Sequence, residues 1–320
     1  MDFAIIRLLK MTGKIKLILP TVFVLMFFPF AQLQAKFGVL ANYKYSKLNL
    51  GFTDFDSDRD FAPGVQHGAI GLGILWNDLE VSAAFAIPST ASRIGDFKNR
   101  SYSDFVTNYW GDAVLVQLYW QKYTGYYSEF APTRILDESE VQKGGLNALF
   151  PILNKDYTVK TMIGRAKTTD AAGSLIIGGS AFVNSVKSNA NLITTDDPAV
   201  FNRMYGFQNG TFGNAILVVG GAFTIQAGGF YLTPLVNVGL GLQYRDFNLQ
   251  KSGASKWYFD FSQFQVSVMS GYNSEKFFAR LLIDYHSSHT NLHDFVGYDT
   301  GAYRIFFITT QIEFSTGIYF

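Results

Sequence analysis

Cysteine is absent from this chain. No disulfide and no thiolate metal site can hold its fold, and attachment through a lipidated N-terminal cysteine is excluded. Proline is sparse at 8 residues in 320, and charged residues make up 16%, against about a quarter in soluble domains. Past Ala35 no apolar run approaches the ~20 residues that a helix needs to cross a bilayer. A helical membrane bundle is therefore ruled out. Charge of one sign is missing too, since the formal net charge is only +1, which gives a nucleic-acid partner no footing.

Aromatic residues are abundant: 31 Phe, 18 Tyr and 4 Trp, beside 30 Gly. With so little charge, this is the composition of an envelope protein. The length suits one barrel of about a dozen strands with loops, and is too short for a plugged barrel of about 22 strands.

The N-terminus reads as a cleaved leader. Arg7, Lys10, Lys14 and Lys16 precede an apolar run from Leu17 to Ala31; Gln32 and Gln34 then turn the chain polar before Ala35, a small residue suited to a signal-peptidase site. Expected boundaries are a signal peptide over 1–35 and a barrel domain over 36–320. An uncleaved anchor helix is the alternative, but a run interrupted by Pro20 and Pro29 is short for a span. Loss of 1–35, with four bases and one acid, would take the net charge from +1 to −2.

Alternation at period two recurs along the remaining chain. From Phe230 the even positions Leu232, Val236, Val238, Leu240 and Leu242 are apolar, while Thr233, Asn237, Gln243 and Arg245 fill the odd ones. Val116, Leu118 and Trp120 oppose Gln117, Tyr119 and Gln121; Ala279, Leu281 and Ile283 oppose Arg280 and Asp284. One face suits hydrocarbon and the other a wet interior. Twelve strands are expected, at 37–54, 67–76, 79–87, 113–128, 144–153, 157–166, 173–185, 214–226, 229–245, 258–273, 276–286 and 302–320. The predicted fold is an all-β, transmembrane, antiparallel up-and-down barrel. An even count puts both termini on the periplasmic side, and tight turns at 77–78, 167–172, 227–228 and 274–275 then share that side. Two features fit poorly: Asn154 to Asp156 becomes a short external hairpin, and 129–143 a long periplasmic connection. In the first strand the apolar positions switch from odd (Val39, Tyr43, Tyr45) to even (Leu48, Leu50, Phe52), which predicts a bulge at Ser46-Lys47.

A closed barrel has no free edge, so the strand ending at Phe320 must pair with the first. In outer-membrane proteins the final strand is also what the folding machinery reads, which makes Phe314, Ile318 and Phe320 a candidate barrel-assembly signal. Outer-membrane lipids and that machinery are the expected partners.

Three stretches carry a family likeness: QKYTGYYSE (Gln121 to Glu129), FPILNKDYTVKTMIGRAKTTDAAGSLIIGGSAFVNSV (Phe150 to Val186) and GYNSEKFFA (Gly271 to Ala279). They resemble an uncharacterised outer-membrane β-barrel family of Bacteroidota, a domain of unknown function. Asn154, Tyr157, Ala172-Gly173-Ser174 and Gly178 match its pattern, whereas Thr168-Thr169-Asp170-Ala171 departs from it. The resemblance implies a barrel in the bacterial outer membrane and implies no activity. Glycines 71, 73, 173, 178 and 179 read as places of close backbone approach or bending in a barrel wall.

The local feature with most chemistry is YHSSHTNLHDF, Tyr285 to Phe295, which holds His286, His289 and His293. Three imidazoles can ligate a transition metal, and a His-Ser pair can hydrolyse lipid esters, but neither reading has a supporting thiolate, carboxylate pair or nucleophile motif. An exposed polar loop is the plainer reading, and no cofactor is expected. Inward charges are predicted at Glu80, Lys160, Arg245, Arg280, Asp284 and Glu313. Three acids and three bases would pair across the lumen, without the single-sign ladder of an ion-selective pore. Inward Tyr119, Tyr123, Tyr231, Phe278 and Tyr319 predict partial filling. The favoured expectation is a nonenzymatic narrow channel or structural or assembly barrel. A barrel-embedded lipid hydrolase is the alternative; it requires a serine and one of these histidines within hydrogen-bond reach at the lipid-facing rim. A soluble periplasmic ligand-binding β-sandwich is the third reading, and requires the outward apolar faces to pair into a core.

Overall fold

The computed structural model describes residues 36–54, 59–61, 64–87, 101–127, 135–167, 171–192, 206–249, 252–291 and 303–320. The expected leader, residues 1–35, lies outside them.

Alternating side chains build one antiparallel sheet that closes on itself. Its strands are β1 (Phe37–Asp54), β2 (Arg59–Phe61), β3 (Gly64–Trp76), β4 (Leu79–Ala86), β5 (Ser101–Trp110), β6 (Leu115–Tyr127), β7 (Ile135–Pro151), β8 (Ala171–Lys187), β9 (Asn209–Ala227), β10 (Phe230–Leu249), β11 (Ser252–Asn273), β12 (Phe277–Asn291) and β13 (Tyr303–Tyr319). The three-residue β2 only folds back on the end of β1; the other twelve form the wall, each pairing with the next. Closure comes from β1 against β13, in register from Gly38 opposite Tyr319 to Asp54 opposite Tyr303. The one helix of the described residues is a single turn, α1 (Val159–Met162), between β7 and β8.

The two faces separate as the alternation requires. Along β10, Phe230, Leu232, Val236, Val238, Leu240 and Leu242 are exposed outside, while Tyr231, Thr233, Leu235, Asn237, Gln243 and Arg245 are buried inside. Leu72, Leu217 and Phe259 are more than 70% exposed on the same outer surface. The β-sandwich reading therefore fails, since the apolar faces stay outside a single closed sheet and do not pair into a core.

Twelve wall strands match the expected number, but two assignments change. Residues 101–110 form β5, where a loop was expected; residues 157–166, expected as a strand, contain α1. The two exchanges cancel in the count and remove both misfits. The connection at 128–134 now joins the end that carries the long connections 87–100, 188–208 and 292–302, and 152–170 joins the end that carries the turns at 77–78, 111–114, 228–229 and 274–276. These are called below the loop end and the turn end.

The predicted bulge in β1 is also absent. Ser46, Lys47 and Leu48 pair without a break with Gln311, Thr310 and Thr309 on one side and with His67, Gln66 and Val65 on the other. Even positions face the lumen along all of β1; what changes is the lumen, polar around Asn42 and Lys44 and apolar around Leu48, Leu50 and Phe52. Register shifts do occur elsewhere: in β11 opposite Gly239-Leu240, and in β7, where residues 137–139 stand opposite Gly125 of β6.

Candidate functional site

The lumen is occupied at both ends. At the loop end, Leu48, Leu50 and Phe52 of β1 cluster with Val65, Tyr102, Tyr123, Val141, Phe212 and Phe307 from around the wall. Leu192 and Phe207, from the connection after β8, complete this cluster, held together by the Leu192 N–H donating to the Phe207 carbonyl at 2.8 Å. Phe207 sits edge-on to Phe52 at 5.5 Å, and Phe307 to Phe212 at 5.6 Å.

At the turn end a separate piece of chain does the filling. Tyr157, Val159, Met162 and Ile163 pack into the lumen against Trp110, Leu149, Ile176, Val218 and Leu235. Thr158 and Thr161 cap each other reciprocally and start α1. Gly164 ends it with φ +69°; a Cβ there would lie 2.3 Å from the Tyr231 ring, so the turn requires glycine. Polar contacts tie this plug to several strands. Arg165 donates to the Tyr319 hydroxyl at 2.6 Å, Asn273 to the Ile163 carbonyl at 2.5 Å and Gln226 to the Ala166 carbonyl at 2.8 Å, while Tyr157 and Thr224 share a 2.9 Å hydrogen bond.

Between the two clusters lies a polar chamber with a cavity of about 180 Å³. Lys44 Nζ bridges two carboxylates, Asp104 at 2.5 Å and Glu313 at 3.0 Å. Glu313 also accepts from Gln311 Nε2 at 3.1 Å and Ser315 Oγ at 2.7 Å. Arg280 grips Glu80 with both ends of its fork, at 2.8 and 3.2 Å, below the rings of Trp110 and Phe278 at 5.7 and 5.9 Å. From Glu80 an amide relay runs around the wall. Asn108 donates to Glu80 at 3.4 Å, Gln117 to Asn108 at 3.1 Å, Asn147 to Gln117 at 3.1 Å and Ser180 to Asn147 at 2.5 Å. Each link satisfies a group that would cost free energy if buried bare.

Of the predicted inward charges, Glu80, Arg280, Asp284 and Glu313 line this chamber. Arg245 is 1% exposed, nearer the loop end, with its Nε on Gln243 at 2.7 Å. Lys160 is not on a lumen strand. It projects from α1 at the turn end, where it pairs with Asp78 at 3.0 Å and Asp112 at 3.1 Å. Burial pulls its pKa down, but the hydrogen bonds to the two aspartates outweigh that and hold it above the ordinary lysine value. Lys44, Asp104 and Lys143 were missed. Asp104 is on the unrecognised β5 and Lys143 on the part of β7 read as a connection; Lys44 was legible, since it precedes the expected bulge and faces inward under either reading of β1.

The histidines do not converge. His286 faces the lumen, edge-on to Phe182 at 6.0 Å; His289, three residues on, is on the outer face, and His293 lies outside the described residues. Among the described residues no cluster of three ligating side chains is assembled. His289 Nε2 does lie 2.7 Å from Ser287 Oγ, beside the Phe306 ring. Of the wall glycines, Gly71, Gly73 and Gly178 face crowded lumen, where a Cβ would meet neighbouring atoms at 2.1–2.5 Å, whereas a Cβ on Gly179 would meet only a carbonyl at 3.6 Å. At the end of the wall strand, Ile318 and Phe320 are exposed outside with Phe314, and Phe320 stacks 6.5 Å from Phe37.

A family model described as a domain of unknown function (DUF4421) matches residues 31–308. No curated protein matches the sequence. Among solved structures, the outer membrane protease OmpT from Escherichia coli is similar at 9% identity, with 90% of this chain and 99% of that one covered and a TM-score of 0.42. The toluene transporter TodX of P. putida, at 9% identity, covers 91% and 90% with a TM-score of 0.24. A FadL homologue of Pseudomonas aeruginosa, at 8%, covers 89% and 90% with a TM-score of 0.27. Likenesses this distant say nothing of activity.

Proposed function

The chain belongs to the DUF4421 family, which carries no assigned activity, and from the geometry of its lumen we propose a nonenzymatic barrel of the bacterial outer membrane, closed at rest, with a structural or assembly role. The observation that carries this reading is the pair of apolar clusters packed across the lumen at its two ends. The apolar outer face supports the membrane location, as does the rim of exposed Phe37, Phe150, Phe230, Phe277 and Phe320 at the turn end, where an aromatic girdle meets the headgroups. On this reading residues 1–35 are the signal peptide, the turn end faces the periplasm, lipids and the barrel-assembly machinery are the partners, and Phe314, Ile318 and Phe320 are what that machinery reads.

The test is a heat-modifiability gel together with planar-bilayer conductance on protein extracted from outer membranes. A heat-shifted band with no current steps is expected. Reproducible steps would overturn the closed lumen and restore the narrow channel; protein that needs no detergent would overturn the membrane location.

One observation favours a second reading, the lipid hydrolase: Ser287 and His289 meet at 2.7 Å on the outer face. Ser287 is buried, so an ester bond reaches it only if neighbouring side chains move. Release of fatty acid from phospholipid vesicles, abolished by Ser287→Ala, would establish that activity; no release from folded protein would remove it.

A further inference from the structure

Most of the chamber's charge is matched within the wall, Lys44 by Asp104 and Glu313, and Arg280 by Glu80. Two groups on the same cavity are not. Lys143 has three donors, and the structure uses one, on Thr309 Oγ1 at 2.6 Å. Asp284 accepts from Gln265 Nε2 at 2.8 Å and from Ser267 Oγ. Both line the cavity, and neither forms an ion pair with the other or with any other described side chain. An ammonium buried to 2% exposure whose counter-charge, Asp284, lies on the same cavity but out of ion-pair contact is costly, and so is that carboxylate. Counted together, the lumen's buried charges balance: Lys44, Lys143, Arg245 and Arg280 stand against Glu80, Asp104, Asp284 and Glu313.

We propose that the chamber binds a small zwitterionic solute of the α-amino-acid type, its carboxylate on Lys143 and its ammonium on Asp284. Such a ligand supplies both missing counter-charges and imports no net charge, which a simple anion or cation would do. The volume agrees: a cavity of about 180 Å³ admits a solute the size of glycine or alanine and is below the ~300–1,000 Å³ of sites that take drug-sized ligands. Gln117 and Asn147 line the same space with amides that can take further polar atoms. The inference rests on the closed barrel, because in an open, hydrated pore the same pair would need no ligand.

The experiment is equilibrium dialysis of the detergent-extracted chain with radiolabelled glycine and L-alanine, with acetate and ethylammonium as single-charge controls. Each probe is added both to folded protein and before refolding from urea, so that a slow path into the chamber does not hide binding. Expected is saturable retention of an amino acid near one per chain, at least tenfold tighter than either control, and weakened at least tenfold by Lys143→Met and by Asp284→Asn in variants that still heat-shift. Absence of saturable amino-acid binding, equal binding of acetate, or binding unchanged in both variants would overturn the proposal. If neither variant folds, the wild-type chain's preference for amino acid over the controls decides. Conductance on the same preparation separates the two readings: current steps sink the closed barrel, whereas no steps and no binding sink only the ligand.

Discussion

The two ends of the lumen are closed by different devices. At the loop end the barrel wall does most of the filling, with Leu192 and Phe207 of the connection after β8 added to it: Leu48, Leu50, Phe52, Tyr102, Tyr123 and Phe307 are strand residues whose neighbours on either side form the ladder. At the turn end apolar wall residues such as Trp110, Leu149, Ile176 and Val218 are not enough to fill the lumen, and a segment between β7 and β8 folds back among them. The strand-borne part of the first seal cannot leave without unfolding the wall. The second can leave as a unit, since breaking its side-chain contacts breaks no wall ladder. The same end result, an occupied lumen, is thus coupled to global stability at one end and to a local opening at the other.

The largest expected effect comes from breaking the wall itself. Arg280→Met strands a buried Glu80 that has lost both of its charge-assisted hydrogen bonds, and should lower unfolding stability in detergent by about 3–5 kcal/mol. Denaturant titration checks it. Adding Glu80→Gln removes the orphan charge, so the double variant should recover part of the loss; a double variant no more stable than Arg280→Met would show that the pair's charge was not the cause.

A matched pair of truncations sharpens the contrast between the ends. Phe52→Ala empties a site packed against Phe207 within the wall-built cluster, and should cost about 3–5 kcal/mol of global stability. Met162→Ala, in the plug, should cost nearer 2 kcal/mol, because a short segment relaxes around the space more easily than a ladder does. More telling is where the loss appears. Hydrogen exchange should rise throughout the wall in the first variant and be confined to 157–166 in the second. Exchange spreading through the wall in Met162→Ala would mean that the plug is part of the wall's cooperative unit, and the contrast would collapse.

The wall's second half could be read from sequence because its two faces differ chemically. In β10 every outward residue from Phe230 to Leu242 is apolar and most inward ones are polar or glycine. In β5 they differ little: Tyr102, Asp104, Asn108 and Trp110 face in, while Ser103, Phe105, Thr107 and Tyr109 face out. Alternation carries no signal where both faces mix aromatic and polar residues, so β5 read as loop and Asp104 was lost with it. The plug failed the other way. Tyr157, Val159, Thr161 and Ile163 alternate like a strand, and all are buried in the structure. What distinguishes them is the reciprocal cap of Thr158 with Thr161 and the positive φ at Gly164. A bulge in β1 was inferred from a change of apolar face, when the lumen had changed and the strand had not. Period-two reasoning assumes a uniformly wet interior, and this one is apolar at both ends.

The smallest effect tests whether the plug is also tethered electrostatically. Lys160 pairs with Asp78, in the β3–β4 turn, and with Asp112, in the β5–β6 turn, and Asp112 is largely exposed. The pair should therefore stabilise the plug by less than about 1 kcal/mol, and less at high salt. Its sign with pH follows from the raised lysine pKa. The folded state holds the proton more tightly than the unfolded chain, so this stabilisation is fully present below the ordinary lysine value of about 10.4 and is lost as pH rises past it through the folded pKa. Protection of 157–166 from limited proteolysis should hold up to about pH 10.4 and fall above it in the wild-type chain, and stay flat over the same range in Lys160→Met. Equal loss of protection in both would show that Lys160 is not the titrating tether, leaving the plug's hold to its apolar packing and to the hydrogen bonds of Tyr157, Arg165, Asn273 and Gln226.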